Sequence, residues 1–387
     1  MVLGYLLLIG ALVLCLATGK NIFQTAGIFA QGFFDPSTLQ LMGVITLIEM
    51  LTIFLQLTGS LQRILNALRK VFADSRVLIA LVPTLLGLFP VPGGAMLSAP
   101  MVGVYGDEIG IQADRKSAIN LFFRHIWDQV FPFKPHLILA AAVLNIPLFT
   151  LIGWHLPVTL ASALVGYGYL IGRYPQPRAV SESREESAGG RPLWIEVLPL
   201  VLPLILGLGV KIDFVYAMAV GLLFGFLTHP VSRDLIAKVA KKGVRLQLLL
   251  LIAAVMIFKV ALESSGFLKI LAQEVPGYGI PLSLLALALP LIISTATGIE
   301  LVAVGMVYPL VVGLVPPGAP AMPYILIMMT ANAIGQTHSP VHICMVVGNE
   351  YFGAKLSRVL QMSVVPQGVR LLTTFLFAWL LYLYLPR

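Results

Sequence analysis

The chain has 387 residues, 58% of them hydrophobic and 11% charged, with two cysteines and a formal net charge of +8; its mean hydropathy is +0.94. A soluble domain carries about 25% charged residues, so this composition excludes a soluble or disordered protein and describes an integral membrane protein. The basic residues gather in a few short loops, a pattern of topology and contact with anionic lipid rather than of nucleic-acid binding. Cys15 and Cys344 both lie in apolar segments, so neither a disulfide framework nor a metal cluster is expected.

A spanning helix takes about 20 apolar residues. Residues 2–18 are apolar without a basic leader and are read as a retained span, not a cleaved signal. Residues 21–35 are too polar to span and are expected to lie at the interface as a short helix. A span follows at 38–58, then a loop with Arg63, Arg69, Lys70 and Arg76 against Asp74, which the positive-inside rule places in the cytoplasm.

Residues 77–105 hold two apolar stretches, each shorter than a span, around Phe89-Pro90-Val91-Pro92-Gly93-Gly94. This is read as a re-entrant hairpin, because non-helical backbone at membrane depth is tolerated only when buried in protein or lining a cavity. The alternative is two ordinary helices kinked by Pro or Gly. The span 117–145 carries Arg124, His125, Asp128, Gln129, Lys134 and His136 around Pro132 and Pro135. Polar mid-span residues beside a proline, which frees a backbone carbonyl, are the signature of a discontinuous helix. A span at 150–173 closes this part of the chain. The Ser/Glu/Gly/Arg-rich stretch within 174–192 is read as a flexible cytoplasmic linker.

Two spans, 193–210 and 212–229, then form a hairpin with its turn at Lys211-Ile212-Asp213 outside. The basic segment 230–246 is placed in the cytoplasm, with 230–243 as the counterpart of 21–35, and 244–262 spans again. Residues 280–315 repeat the hairpin pattern around Ser294-Thr295-Ala296-Thr297-Gly298-Ile299-Glu300. The span 321–349 repeats the broken helix with Asn332, Gln336, Thr337, His338, Ser339 and His342 about Pro340. A last span covers 358–384.

The second half copies the first. Gly59 and Gly266, like Pro83 and Pro290, lie 207 residues apart, and Pro132 and Pro340 lie 208 apart. Loop charge runs 38–58 outward to inward and 244–262 inward to outward, so the repeat is inverted, with 193–210 as the odd crossing. The expected architecture is therefore an all-α polytopic membrane protein of about nine spanning helices and two re-entrant hairpins. Its units are residues 1–173, the linker, the connecting helix 193–210 and residues 212–387. An inverted repeat with discontinuous helices points to a transporter with its site at the repeat interface.

Arg124 and Asp128 share a helical face and either pair internally or meet substrate. His338 and His342 have the spacing of a metal pair, but no acid accompanies them on that face and Pro340 breaks the helix between them. Hydrogen bonding or proton carriage suits them better. Gly93 and Gly94 permit close backbone approach, and Ser98 follows with a hydroxyl. Glu300 is the carboxylate next to the second tip. Glu49 and Lys259 are read as a structural pair between 38–58 and 244–262.

Three runs carry a family resemblance: residues 89–101, Phe122-Phe123-Arg124-His125-Ile126-Trp127, and Ser339-Pro340-Val341-His342-Ile343-Cys344 followed by Asn349-Glu350-Tyr351-Phe352. Together they resemble an uncharacterised family of prokaryotic integral membrane proteins, domain of unknown function 401, related to the gluconate permeases within the ion transporter superfamily. The resemblance implies a scaffold domain, a transport domain with two re-entrant hairpins, and elevator-type movement. It also implies an organic carboxylate coupled to sodium or protons, or sodium/proton exchange. The tips Pro90-Val91-Pro92-Gly93-Gly94 and Ala296-Thr297-Gly298-Ile299-Glu300 depart from the Ser-Asn-Thr tips of the superfamily's carboxylate/sodium branch.

The expected function is secondary transport of a small organic anion, with no enzymatic activity and no cofactor beyond a coupling proton or sodium ion. Substrate contacts are assigned to Gly93, Gly94, Ser98, Arg124, His125, Thr295, Thr297, Asn332, Thr337, His338, Ser339 and His342, and ion or proton coupling to Asp128 and Glu300. The rivals are a cation/proton antiporter of the same fold and, more remotely, an intramembrane enzyme. Expected partners are the anion and the lipid bilayer of the cell membrane, with the N-terminus cytoplasmic. The apolar helices 38–58 and 244–262 offer a face for a homodimer.

Overall fold

A computed structural model of the chain describes residues 2–72, 74–89, 94–175 and 192–384. The regular structure among those residues is all helical, without a strand. The linker residues 176–191 and the first hairpin tip, residues 90–93, lie outside the described residues.

The first group of helices is α1 (Val2–Ala17), α2 (Ile22–Phe34), α3 (Pro36–Leu57), α4 (Ser60–Val71), α5 (Ser75–Leu88), α6 (Gly94–Glu108), α7 (Ala113–His125), α8 (Pro135–Leu144) and α9 (Leu148–Leu170). Next comes α10 (Leu193–Leu204), whose end loosens into a π-helical turn at Ile205–Gly209 after Pro203. The remainder is α11 (Phe214–Thr228), α12 (Arg233–Gly243), α13 (Leu246–Ser264), α14 (Phe267–Glu274), α15 (Leu282–Thr297), α16 (Glu300–Met306), α17 (Tyr308–Gly313), α18 (Met322–Thr337), α19 (Ile343–Phe352) and α20 (Leu356–Tyr384).

Local chemistry sets many of these boundaries. Asn21 and Gln24 form a reciprocal capping box that starts α2, with both bonds near 3 Å. Asp35 caps α3 by accepting from the Ser37 amide at 2.8 Å, and Pro36 occupies the first helical position, where no amide is needed. Asp74, Asp213 and Ser232 cap α5, α11 and α12 in the same way. Gly59 and Gly266 open α4 and α14 with left-handed φ values of 73° and 74°. Pro83 and Pro290 sit inside α5 and α15. Each of these two sequence matches therefore falls on a matching element, and the third, Pro132 and Pro340, falls in two helix breaks.

Packing crosses between the halves. Helix α1 lies on α13 and α11 on α3, while α2 lies on α13 and α12 on α3. Likewise α8 rests on α16, and α19 on α6 and α7. Among the described residues, four helical runs are long and apolar enough to cross a membrane: Pro36–Leu57, Leu148–Leu170, Leu356–Tyr384 and the combined run Arg233–Ser264. The expected spans 117–145 and 321–349 are each two shorter helices, because residues 126–134 and 338–342 leave the helical path.

One expectation fails. Glu49 does not meet Lys259; its carboxylate accepts from Arg245 at 3.3 Å, and Lys259 donates to the Ala142 carbonyl at 3.2 Å. Arg245 immediately precedes α13, and Lys259 lies 14 residues further on, about 21 Å along the axis. The helix end beside Glu49 is the one that carries Arg245.

Candidate functional site

Two helix breaks and one hairpin tip converge on a polar centre. Helix α7 ends at His125, the chain turns through residues 126–134, and α8 restarts with Pro135 at its first position. Asp128, within the break, is 2% exposed and holds two partners. His125 Nδ1 lies 2.7 Å from its Oδ2 and Lys134 Nζ lies 2.5 Å from its Oδ1. Lys134 also donates to the carbonyl of Gly87 on α5. The open alternative for Asp128 thus resolves toward His125 and Lys134, not Arg124.

Glu300 opens α16 at the second tip and is also 2% exposed. Its Oε2 accepts from Gln129 Nε2 at 2.7 Å and lies 3.0 Å from His136 Nε2. Its backbone amide donates to Gln336 at 3.1 Å, and its carbonyl accepts from Asn332 Nδ2 at 3.3 Å. Asn332 reaches the Tyr308 hydroxyl at 3.2 Å and accepts from Ser294. Glu300 Oε1 has no partner among the described residues. His136 Nε2 also lies 3.1 Å from the Asp128 carbonyl, so one imidazole joins the two carboxylate-bearing segments.

His342, just before α19, points its Nδ1 at the Gly298 carbonyl (3.0 Å) and its Nε2 at His125 Nε2 (3.1 Å). The tip permits this only as glycine: Gly298 has φ 70°, and a Cβ there would meet the His342 backbone at 3.1 Å. A left-handed non-glycine residue costs about 1–2 kcal/mol before any clash.

Arg124, 5% exposed, lies across the start of α6, where a Cβ on Gly94 would collide with its guanidinium. Its Nη1 has no partner among the described residues. The centre therefore gathers Gly94, Arg124, His125, Asp128, Glu300, Asn332 and His342 from the sequence-derived set. Gly93 lies outside the described residues.

The other expected contacts turn elsewhere. Ser98 donates to carbonyls of its own helix, Gly94 and Ala95, at 3.2 Å. Thr297 donates to Ile293 O at 2.8 Å, and Thr295 is half-buried one residue past Ser294. Thr337 donates to Ala333 O and accepts from Gln367 at 3.2 Å. His338 Nδ1 lies 3.0 Å from Ile334 O, and Ser339 Oγ accepts the Val341 amide. Ser98, Thr297, Thr337 and His338 thus bond back to carbonyls of their own helices, which satisfies them locally.

Sequence reasoning passed over Lys134, Gln129, His136 and Gln336 as site members, although they stood in the same polar runs. It also missed Arg370 on α20, which is fully buried with no partner for any of its three guanidine nitrogens among the described residues. A charged residue in the apolar span 358–384 was itself a signal, since such groups mark function in a membrane. Facing α20, the Thr159 and Ser162 hydroxyls and His155 Nδ1 on α9 are also unpartnered. A recess of about 470 Å³, lined by residues such as Leu14, Phe258, Leu289 and Leu310, is apolar throughout and separate from this centre.

Comparison with known proteins follows the same outline. A family model described as "Protein of unknown function (DUF401)" matches residues 1–385. No curated protein matches the sequence. Among solved structures, the crystal structure of the YdaH transporter of Alcanivorax borkumensis, described as having an unusual topology, is similar with a TM-score of 0.59. The match covers 93% of this chain and 88% of that one at 14% identity, a likeness of fold.

Proposed function

The chain belongs to the DUF401 family, and from that premise we propose that it is a secondary active transporter of a small organic anion, a gluconate-like carboxylate, coupled to protons or sodium. The observation that carries this reading is Arg124, buried against the first residue of α6 with Nη1 unpartnered among the described residues. A guanidinium held out of water without a counter-ion costs several kcal/mol. The N-terminus of α6 beside it adds roughly half a positive charge. An anion between the two offsets both, and a carboxylate matches the planar guanidinium as a bidentate pair.

Asp128 and Glu300 provide the coupling groups in this reading. Asp128 is neutralised by Lys134, whereas Glu300 keeps one oxygen without a partner among the described residues. That oxygen is where a proton or sodium ion would sit. The two copies, 1–173 and 212–387, form an inverted repeat around 193–210, joined by the cytoplasmic linker. Their hairpins re-enter from opposite sides, and the unit holding both breaks moves elevator-fashion against a scaffold that includes α3 and α13. The protein works in the cell membrane with its N-terminus in the cytoplasm, and the scaffold pairs as a homodimer.

Uptake of labelled carboxylates into proteoliposomes under a proton or sodium gradient tests the reading. Arg124→Ala is expected to lower uptake about 100-fold, the cost of unpairing one buried charge. Full uptake by that variant rejects the anion clamp. Sodium-dependent proton movement with no organic solute selects a cation/proton antiporter, with Asp128 and Glu300 exchanging the ions.

A further inference from the structure

The facing rings of His125 and His342 pose a problem of protons. His342 Nδ1 lies 3.0 Å from the Gly298 carbonyl, which can only accept, so this nitrogen carries a hydrogen. His125 Nδ1 lies 2.7 Å from the Asp128 carboxylate, and Lys134 keeps that carboxylate an acceptor, so this nitrogen carries a hydrogen too. As neutral rings, both then present Nε2 lone pairs to each other across 3.1 Å. Two lone pairs at that distance repel unless a proton or a metal ion lies between them. The Sγ of Cys344 completes the group, with all three donor atoms within 4.8 Å of one another.

We propose that His125, His342 and Cys344 form a binding site for a soft divalent transition metal, zinc in the first instance. Zinc–nitrogen bonds of about 2.0–2.1 Å at a tetrahedral angle separate two nitrogens by about 3.3 Å, close to the spacing already present. Imidazoles that bind metals hold their other nitrogen to a carboxylate or a backbone carbonyl, and these two rings do one each. Sulfur as the third donor favours zinc over harder cations. Cys344, binding as the thiolate, offsets half of the divalent charge, while Asp128 is already paired with Lys134. Three protein ligands leave one coordination position open. The metal ties the end of α7 to the start of α19, and so joins the two helix breaks. The site stands whether or not the protein carries an organic anion.

The test uses the purified full-length chain in detergent, stripped with chelator and titrated with cobalt(II) and zinc. One equivalent of cobalt is expected to give a near-ultraviolet sulfur-to-cobalt charge-transfer band, and zinc is expected to displace it. Cys344→Ser loses the band, whereas Cys15→Ser, at the chain's other cysteine, keeps it. Asp128→Asn keeps the sulfur and the band but binds zinc about 10–100-fold more weakly, as the loss of an outer-shell partner does. Circular dichroism verifies that each variant is folded. No band in the wild type, with no zinc-dependent rise in melting temperature, overturns the proposal and leaves a shared proton between the rings. A band that survives Cys344→Ser overturns it equally.

Discussion

Two buried carboxylates in this protein each have a histidine beside them, and they are finished differently. Glu196 on α10 receives Arg63 in a bidentate pair at 2.7 and 2.9 Å, and His229 Nε2 lies 3.1 Å from its Oε2. His229 is itself held at Nδ1 by the Gly225 carbonyl at 3.0 Å, and Ser60 lies between it and Arg63. Among the described residues, no side-chain polar atom of that network is left without a partner. Glu300 instead keeps one oxygen unpartnered among the described residues, as do Arg124 Nη1 and all of Arg370's guanidine nitrogens. A closed network rigidifies, and it fixes α4, α10 and α11 to one another. An open network in a low-dielectric interior is costly to keep, and that cost is what ligand or ion binding relieves.

Substitutions at the two centres would break or sharpen this contrast. The largest expected effect is on transport: Glu300→Gln is expected to reduce gradient-driven uptake about 100-fold, equivalent to about 2.7 kcal/mol, with a melting temperature near that of the wild type. Unchanged driven uptake would remove Glu300 from the coupling role. Glu196→Ala should do the reverse and cost about 2 kcal/mol in chemical unfolding, because it strands buried His229 while half-exposed Arg63 turns to solvent. Its uptake per folded molecule should hold.

Gly298→Ala is expected to cost about 1–2 kcal/mol from the left-handed backbone alone. It also pushes His342 from the tip, so uptake should fall with stability. A variant as stable as the wild type would show that the tip relaxes. The smallest shift belongs to Arg370→Met, expected to change stability by no more than about 1 kcal/mol, or to raise it, since an apolar group of similar length replaces a buried cation whose guanidine nitrogens have no hydrogen-bond partner among the described residues. A loss of several kcal/mol would show that Arg370 is paired and that α20 belongs with the closed network.

Much of the centre was legible in the chain. Pro132 and Pro340 announce the breaks because proline cannot continue a helix hydrogen-bond ladder, and Asp128, Glu300, His125 and His342 stand out as polar groups in apolar runs. The direction of a side chain was not legible. Ser98, Thr297, Thr337 and His338 lie in the right segments yet bond to carbonyls of their own helices, a local solution that spacing does not distinguish from contact with a ligand. Glu49 and Lys259 were misjudged for a related reason: similar positions along two oppositely directed spans lie toward opposite ends of the helix pair. Arg370 was lost inside a span whose average hydropathy concealed its single charge.

The most direct measurement is the thermal stability of the purified protein against a panel of small carboxylates, with and without sodium and at two pH values. A ligand that binds only the folded state adds about 2.7 kcal/mol at 100 times its dissociation constant. The account predicts a rise in melting temperature with one class of carboxylate, dependent on sodium or pH and absent in Arg124→Ala. A response to sodium or pH alone, with no carboxylate effect at any concentration, would contradict it.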